Sequence, residues 1–502
     1  MKRRSNLSAL RWVSLLLIFG AVLLTILQLI RFGRIRGNYP YGLTIGGIPV
    51  GGMDRQEAAQ VLLQTYAAPI ELHYGDAIIQ AKPSSVGFEL DLEPMLSAAD
   101  LQRTNAPFWN AFWDYLWDRT TSSTDIPLLV NISEDRLRNY LTTEIATRYD
   151  RPASAALPLP GAVGFQSGEP GTEMDVDRAV IMIEDALKSI NNRVVNLTLD
   201  KTTSPRPTFQ NLQVMVEGIF KEEALKSGGF QGVAGVYILD LQSAEEISVA
   251  MNNGEQIEPG IAFTAASTMK IPILISVFNR IDEPVPDNIW ALLQEMIIQS
   301  NNDATDAVAQ AAIDRNLAPL QVSDDLETLG MLDTFWAGYF TPGSPLLNSY
   351  ITPANSRADV LTDPDTYDQT TPEEMGILLS DIYECSQNNG GALLAAFPGK
   401  ITQSECKKMV DLLISNHMGG LLQAGLPEGT LFAHKHGWVI DPVDGIMHNI
   451  SNAGIVYSPA GNYVIVAYLY DSNQIVYDTA NLLLANLSKA VYNYFNFSQT
   501  NP

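Results

Sequence analysis

The amino-acid sequence predicts an α+β protein in three parts: an apolar N-terminal helix, an α+β module and a larger α+β domain. Three observations predict this organisation. An uncharged stretch lies near the N-terminus, glycine-bounded strand patterns alternate with amphipathic helix patterns up to about residue 200, and strand pairs accompany helix patterns beyond it. A chain of 502 residues is long enough for two or three domains.

The first part is predicted to be a membrane anchor within residues 1–36. Residues 12–30 read WVSLLLIFGAVLLTILQLI, 19 residues without a charge, which as a helix span ~30 Å of hydrocarbon. A cleaved signal peptide is the alternative, but its apolar core is usually shorter and ends in small residues, whereas this one runs into Arg31. Basic residues flank both ends, so charge alone does not fix the orientation.

The charge of the remaining chain bears on its partners. Residues 1–36 hold seven basic residues and no acid, so the rest carries 24 basic against 56 acidic residues, a net charge of −32. Nucleic-acid binding relies on basic surface and is therefore not expected. The acidic bulk and the substrate inferred below favour an extracytoplasmic location, with the chain held in the cell membrane by a single pass.

Residues 38–200 are predicted to form an α+β module. Asp54 follows paired glycines and is placed to cap a helix that carries Ala58, Val61 and Leu62 on one face. The stretch IELHYGDAIIQA alternates as strands do, and GFELDLEPML and GTEMDVDRAVIMIE suggest a loose internal duplication. Residues 40–200 resemble the peptidoglycan-binding module found beside wall-active enzymes, which implies the cell wall as a partner. A structural spacer is the alternative.

A tryptophan stripe stands out within this module. In PFWNAFWDYLWDRT, Trp109, Trp113 and Trp117 recur every four residues, on one face of a helix. Tryptophan favours membrane interfaces, so this helix is either one that lies on the lipid surface or an ordinary core helix.

Residues 201–210, KTTSPRPTFQ, are predicted to be a linker, and residues 211–502 the third part. GVAGVYILDLQ and EEISVAMN are expected to pair as strands. AGIVYSPAGNYVIVAYLY is expected to form a hairpin that turns at Pro-Ala-Gly-Asn, and a helix from about Tyr477 to Tyr494 to close the domain.

The candidate chemistry begins at Ser267 and Lys270, in FTAASTMKIPILISVF. Residues three apart share a helix face, so the hydroxyl and the amine can meet. Pro272 is tolerated only in about the first turn, so the helix should start near Thr268, with Ser267 at or beside its N-cap. Apolar surroundings disfavour a charged lysine, which could then act as a base toward the serine.

The Ser-x-x-Lys spacing alone is weak evidence, because it recurs at Ser404 and Lys407, on what is expected to be an ordinary solvated helix start. Two further motifs support the first pair. Ser300, Asn301 and Asn302 follow a helix pattern and offer a proton relay and an amide, and the LFAHKHGWV strand offers Lys435 for a substrate carboxylate and Gly437 for close backbone approach.

Together these motifs resemble those of the class A β-lactamases and penicillin-binding serine enzymes, in the same order, over about residues 225–496. The resemblance implies an antiparallel sheet with helices on both faces and a helical lobe. It implies a catalytic set, with Ser267 as nucleophile, Lys270 as general base and Ser300 as proton shuttle. It also implies a substrate-binding set: Asn302, Lys435, His436, Gly437 and Trp438. The backbone N–H groups of Ser267 and Trp438 would form the oxyanion hole.

Departures from the family pattern bear on the reaction. Asn301 replaces the middle aspartate, and His436 replaces the hydroxyl of K-T-G. In class A β-lactamases the loop before TTPEEM carries the glutamate that activates the deacylating water. No glutamate lies between residues 328 and 372 here; the acids in that stretch are Asp333, Asp359, Asp363, Asp365 and Asp368. Fast β-lactam hydrolysis is therefore not expected.

Cofactor and metal sites are not predicted. His434 and His436 share a strand face with His448 nearby in sequence, so a metal site is conceivable, but no carboxylate is suitably spaced. Cys385 and Cys406 form either a disulfide, in an oxidising compartment, or two buried thiols.

Three functions remain open. The first is a membrane-anchored acyl-serine hydrolase acting on β-lactams or wall peptides ending in D-alanine. The second is a non-catalytic protein that binds the wall or senses β-lactams. The third is a structural envelope protein in which the motifs are coincidental.

Overall fold

The computed structural model describes residues 6–105, 107–119, 123–416 and 418–497, with side chains from residue 10 onward. Residues 1–5 of the predicted anchor and the last five residues of the predicted C-terminal domain therefore lie outside the described part. The chain divides into two compact units, Met1–Ser154 with Pro170–Thr203 and Ala155–Glu169 with Ser204–Pro502.

The elements up to residue 203 mix helices and short strands. The helices are α1 (Asn6–Ile35), α2 (Arg55–Tyr66), α3 (Leu92–Thr104), α4 (Phe108–Leu116), α5 (Glu134–Tyr140), α6 (Thr147–Tyr149) and α7 (Val176–Lys188). The strands are β1 (Leu43–Ile45), β2 (Ile48–Pro49), β3 (Ile70–Tyr74), β4 (Ala77–Ala81), β5 (Phe88–Leu90), β6 (Thr124–Ile126), β7 (Val130–Ile132), β8 (Leu157–Pro158), β9 (Phe165–Gln166), β10 (Gly171–Met174), β11 (Val194–Asn196) and β12 (Leu199–Thr202). All except β8 and β9 belong to the first unit.

Helix α1 runs for 30 residues, longer than the uncharged stretch that predicted it. Its segment Leu10–Ile35 is long and apolar enough to cross a membrane. Every side chain from residue 10 to residue 31 is exposed or half-buried, as expected of a helix that does not pack into a protein core. The N-terminal apolar helix is therefore a candidate anchor or signal sequence.

The rest of the first unit is a small α+β fold with its own core. Strands β11, β3 and β4 form a sheet in that order, parallel between β11 and β3 and antiparallel between β3 and β4. The predicted cap is confirmed: the Asp54 carboxylate accepts the N–H groups of Gln56 and Glu57, and α2 buries Ala58 and Leu62. Both copies of the suspected duplication form a strand followed by a helix, β5 with α3 and β10 with α7.

The second unit continues from residue 204 with a larger set of elements. The helices are α8 (Phe209–Leu225), α9 (Lys270–Phe278), α10 (Asp287–Ile298), α11 (Asn302–Ala312), α12 (Ala318–Thr328), α13 (Pro372–Asn388), α14 (Ala392–Ala396), α15 (Gln403–Ile414) and α16 (Tyr477–Phe495). The strands are β13 (Val233–Asp240), β14 (Glu246–Asn252), β15 (Glu255–Ile257), β16 (Phe263–Thr264), β17 (Phe335–Trp336), β18 (Asp368–Thr370), β19 (Leu431–Ile440), β20 (Met447–Tyr457) and β21 (Tyr463–Tyr470).

A six-stranded antiparallel sheet organises this unit, in the order β15-β14-β13-β21-β20-β19. One hydrophobic core lies between the sheet and helices α8 and α16. A larger core joins the sheet to α9, α10, α11, α12, α13 and α15. The predicted strand pair, the hairpin turning through residues 459–462 and the C-terminal helix are confirmed. This is the mixed α/β architecture that the sequence predicts, and β19 lies at one edge of the sheet.

The segment between the predicted domains is shorter than expected. Residues 201 and 202 belong to β12, and the reciprocal cap between Thr208 and Asn211 starts α8 at Phe209, so only residues 203–208 are free of either element. Residues 155–169, predicted to lie in the module of residues 38–200, pack within the second unit. The Phe165 ring contacts the Tyr494 ring at 6.0 Å, and Asn493 Nδ2 donates to the Val163 carbonyl at 2.6 Å.

Of the two alternatives for the cysteines, the structure contains the disulfide. Cys385 on α13 and Cys406 on α15 are bonded, with their Cα atoms 5.9 Å apart. The bond ties two helices that pack against the same large core.

Candidate active site

Ser267 lies in a 3-10 turn, Ala266–Met269, that continues directly into α9. Helical structure therefore begins two residues before the predicted Thr268, and Ser267 is the second residue of the turn. Pro272 is the third residue of α9, which agrees with its restriction to the first turn. Ala266 has φ +48°, a left-handed conformation that costs energy in a residue with a side chain.

Lys270 connects Ser267 to Asn302. Lys270 Nζ donates to Ser267 Oγ at 2.8 Å and to Asn302 Oδ1 at 2.7 Å, and it lies 4.5 Å from the centre of the Phe340 ring. Burial lowers the pKa of Lys270 to about 8, against the opposing effect of Asp368 and a second nearby carboxylate. A useful fraction of this amine is therefore neutral near pH 8 and able to take a proton.

Ser300 and Lys435 form a second hydroxyl–amine pair. Lys435 Nζ donates to Ser300 Oγ at 2.8 Å and to the His436 carbonyl at 3.1 Å. Burial, and then the charge of Lys270, lowers the pKa of Lys435 well below that of a free lysine. Like Ala266, Ser300 has a positive φ, +56°. Such conformations cluster at functional sites.

Asn301, which lies between Ser300 and Asn302, has a structural role. Asn301 is the N-cap of α11, where its Oδ1 accepts the N–H of Ala304 at 3.1 Å. Asparagine and aspartate cap helices about equally well. Asn301 therefore starts α11 and so helps to fix the position of Asn302.

Gly437 brings the edge strand β19 close to Ser267. A Cβ atom at Gly437 would lie 3.1 Å from the Ser267 nitrogen, 2.9 Å from Ser451 Oγ and 3.2 Å from the Ala265 carbonyl oxygen. Only glycine allows this approach without displacing its neighbours. The backbone of the strand after Lys435 thus runs beside the N–H of Ser267, where the sequence predicts the oxyanion hole.

His436 is buried and neutral. Burial, and then the charge of Lys435, lowers the pKa of His436 to about 2. Its Nδ1 lies 3.4 Å from Asn416 Nδ2, and its ring stacks on Trp438 with centroids 4.9 Å apart. Trp438 is 40% exposed. A neutral imidazole offers one N–H donor, in place of the family's hydroxyl.

The histidines do not form the conceivable three-histidine site. His434 Nε2 lies 3.0 Å from the Asn416 carbonyl oxygen, and its ring stacks on Phe432. His448 instead has Nε2 2.9 Å from an Asp444 carboxylate oxygen. The hydrogen bond to that carboxylate raises the pKa of His448.

The structure thus places six of the eight predicted residues in two hydrogen-bonded groups, and the other two beside them. Ser267, Lys270 and Asn302 form one, and Ser300, Lys435 and His436 the other, while Gly437 lies against Ser267 and Trp438 follows it on the half-exposed end of the strand. Their catalytic and binding roles stay predictions.

Asp368 is a site residue that the sequence did not single out. Its buried carboxylate accepts the N–H of Ala266 at 2.6 Å, and so braces the turn before the serine. Burial raises its pKa to about 8. Of the other loop aspartates, Asp333 accepts the N–H of Ala354 and Asp359 pairs with Arg357 on the surface.

Asp306 was also missed, although it lies one helical turn after Asn302. It accepts the N–H groups of Phe340 and Thr341, at 2.9 and 2.7 Å. These bonds hold the segment that carries the Phe340 ring over Lys270. The four-residue spacing from Asn302 to Asp306 was the only signal available in the sequence.

One family of known proteins matches part of the sequence. A sequence profile described as "Beta-lactamase enzyme family" matches residues 288–495, which include Ser300 and Lys435 but begin after Ser267 and Lys270. No curated protein matches the chain.

Three solved structures are similar to parts of the chain. A β-lactamase from Xanthomonas campestris pv. campestris is 18% identical and covers 56% of this chain and 98% of its own, with a TM-score of 0.41. PBP-A is 18% identical over 59% of this chain and 99% of its own, with a TM-score of 0.40. The TLA-1 extended-spectrum β-lactamase is 17% identical over 57% and 98%, with a TM-score of 0.41. Over residues 288–495, this chain is similar in sequence to the β-lactamase enzyme family.

Proposed function

We propose that the protein is a membrane-anchored, extracytoplasmic acyl-serine hydrolase that acts on β-lactams or on wall peptides ending in D-alanine. The observation that carries this proposal is the contact of Lys270 Nζ with Ser267 Oγ at 2.8 Å, in surroundings that lower the pKa of the lysine to about 8. A hydroxyl within reach of an amine that is partly neutral near pH 8 is the arrangement that makes serine nucleophilic.

Acylation would follow from this geometry. The neutral Lys270 amine takes the proton of Ser267 Oγ, and the oxygen attacks the carbonyl carbon of the substrate amide or lactam. The oxyanion that forms accepts hydrogen bonds from the N–H groups of Ser267 and Trp438. The approach of Gly437 to the Ser267 nitrogen supports this assignment, because it places both segments of backbone side by side.

The leaving nitrogen needs a proton when its bond to the carbonyl carbon breaks. Ser300 would give it, and the hydrogen bond of its hydroxyl to Lys435, which can return a proton to it, supports this role. A substrate carboxylate would favour the charged form of Lys435 against the cost of its burial. Asn302, whose Oδ1 is occupied by Lys270, would offer its NH₂ group to the substrate amide.

Release of the acyl group is proposed to be slow. No glutamate lies between residues 328 and 372. Asp368, the aspartate of that loop that accepts the N–H of Ala266 beside the serine, is buried. Its pKa of about 8 leaves it mostly protonated at neutral pH, and so a poor base for a water molecule.

The remaining parts of the chain are proposed to hold this site at the cell wall. Residues 12–30 would span the membrane, and residues 38–200 would bind peptidoglycan, apart from the hairpin of residues 155–169 that packs with the second unit. The alternative for the first unit, a spacer, makes the same prediction for the enzyme but none for wall binding.

The test is intact-mass analysis of the full chain in detergent, sampled over time after adding benzylpenicillin, with Ser267→Ala as control. A stable penicilloyl adduct that the variant lacks is the expected result. An adduct that forms and disappears while the drug is hydrolysed would contradict slow deacylation. No adduct with penicillin or with a D-alanyl thioester would contradict the hydrolase itself.

A second candidate is a non-catalytic protein that binds the wall or senses β-lactams. The missing glutamate favours it, because a sensor must keep its acyl group instead of turning over. Turnover of a D-alanyl peptide by the wild-type chain, absent from Ser267→Ala, would exclude this candidate.

A further inference from the structure

Helix α4 has two different faces. One face packs on α1: the rings of Phe108, Phe112 and Tyr115 each lie 5.4 Å from the Phe32 ring. Tyr115 Oη also donates to Gln28 Oε1 at 3.1 Å. Phe112 is consequently buried. The aromatic stripe of the sequence is on the other face.

That other face exposes the three tryptophans. Trp109 is 61% exposed, Trp113 54% and Trp117 69%. A tryptophan side chain offers ~150–250 Å² of mostly apolar surface, so the three exposed rings, two on α4 and the third at its C-cap, form a patch of the size that marks a binding surface. The core-helix alternative for this stripe is therefore wrong, since the phenylalanines of α4 supply its packing.

The level at which α4 meets α1 indicates what covers this patch. The uncharged stretch of α1 ends at Ile30, two residues before Phe32 and two residues after Gln28. At 1.5 Å per residue, both contacts lie within ~3 Å of the end of the apolar span. Arg31 and Arg34 follow at once on α1, and the Arg36 guanidinium lies 4.8 Å from the centre of the Phe108 ring.

If α1 spans a membrane, α4 is therefore held at the boundary between hydrocarbon and headgroups. Tryptophan is the residue that most favours this boundary, because its ring is apolar and its N–H can reach water or headgroup oxygens. Arginines at the same level attract anionic headgroups.

We propose that α4 is a membrane-interface helix whose Trp109, Trp113 and Trp117 insert into the headgroup region beside the C-terminal end of the anchor. The proposal rests on the anchoring of the chain by α1. It makes the first unit a body held against the lipid surface at two points, the anchor and α4.

The test uses the full chain in phosphatidylcholine vesicles whose acyl chains carry bromine near the headgroup. Bromine quenches tryptophan only within lipid, and aqueous iodide quenches it only in water. Trp12, at the other end of α1, is first replaced by phenylalanine. Bromine should then quench part of the fluorescence of Trp12→Phe, and that part, contributed by Trp109, Trp113 and Trp117, should be protected from iodide, whereas the half-exposed Trp438 stays open to iodide. Further replacement of Trp109, Trp113 and Trp117 by phenylalanine should abolish the bromine effect.

The matched control is Trp290→Phe in the Trp12→Phe background, which removes a tryptophan of α10 in the second unit and should leave the bromine quenching unchanged. Quenching of the three tryptophans by iodide and not by bromine would overturn the proposal, and would point to a protein partner or to bare solvent. The phenylalanine replacements leave no cavity, because the rings that they replace are mostly exposed.

Trp12 distinguishes failure of the anchor from failure of the interface helix. In the variant that keeps Trp12 and lacks the other three, bromine quenching reports whether α1 has inserted. If bromine quenches Trp12 but does not quench Trp109, Trp113 and Trp117, the interface helix alone is overturned. Unquenched Trp12, in a chain that does not sediment with vesicles, overturns both the anchor and the interface helix.

Discussion

The chain contains the Ser-x-x-Lys spacing twice, and the two copies lie in opposite surroundings. Both occupy the first turn of a helical segment. Ser267 and Lys270 are in contact and the lysine is fully buried, whereas Ser404 and Lys407 are exposed on α15. Ser404 Oγ donates instead to Glu283 at 2.9 Å.

The difference shows that the Ser-x-x-Lys spacing allows the hydroxyl and the amine to come into contact but does not ensure it. Burial removes water from Lys270 and so disfavours its charge, and Asn302 fixes the amine from its other side. At Ser404 solvent is available, so neither effect applies. A reactive pair therefore needs partners that are distant in sequence, which a four-residue pattern cannot specify.

Replacing the two serines in turn should give the largest contrast. Ser267→Ala should lose the penicilloyl adduct completely, because the attacking oxygen is gone. Ser404→Ala should form the adduct at the wild-type rate. Intact-mass analysis measures both. An adduct retained in Ser267→Ala and lost in Ser404→Ala would reverse the assignment of the two motifs.

Replacing the two lysines should give a smaller but still large contrast. Lys270→Met should slow acylation by about 10²–10⁴-fold, the usual contribution of a positioned general base. Methionine suits the buried site in length and polarity. Lys407→Met is the matched control and should change the rate by less than about twofold, since surface substitutions seldom matter. Equal effects in the two variants would show that Lys270 is not the general base.

Gly437→Ala tests the strand edge that accompanies Ser267. The added methyl would lie 3.1 Å from the Ser267 nitrogen, so the turn and the strand must separate. We expect acylation to slow by about 10- to 10³-fold, up to the loss seen when an oxyanion-hole donor is removed. Gly218→Ala in α8, where a Cβ meets nothing within 4 Å, is the control. A wild-type rate for Gly437→Ala would argue against an oxyanion hole here.

The smallest expected effect is the dependence of acylation on pH. Burial depresses the pKa of Lys270 to about 8, so its neutral fraction grows as pH rises through that value. The acylation rate should therefore be about tenfold higher at pH 9 than at pH 7. Stopped-flow measurement with a chromogenic β-lactam gives the profile. A rate that falls across this range would exclude neutral Lys270 as the base.

Much of the fold was predictable because its signals are local. Asp54 caps α2, the Pro-Ala-Gly-Asn turn connects β20 to β21, and alternation marks β3, all within a few residues. The hairpin of residues 155–169 was assigned to the wrong neighbour. Its place depends on Phe165 packing against Tyr494, a contact between residues 329 apart in sequence that no local pattern encodes.

The candidate site also contains residues that the sequence predicts and residues that it does not. Ser267, Ser300 and Lys435 were predictable, because each belongs to a compact motif and the three motifs occur in the expected order. Asp368 was one of five aspartates in a long loop, and only the pairing of β16 with β18 places it beside Ala266. The left-handed conformations of Ala266 and Ser300 were likewise invisible, since neither residue type favours them.

If α1 spans a membrane, the disulfide between Cys385 and Cys406 also bears on the direction in which the chain is inserted. Thiols stay reduced in the cytosol and become oxidised after export. A bond between α13 and α15 therefore favours the topology in which the residues before α1 remain in the cytosol while everything after it is translocated. The arginines on both sides of the span leave that choice balanced. The disulfide between two distant helices would then indicate the direction of insertion, which the charges that flank the apolar stretch do not indicate.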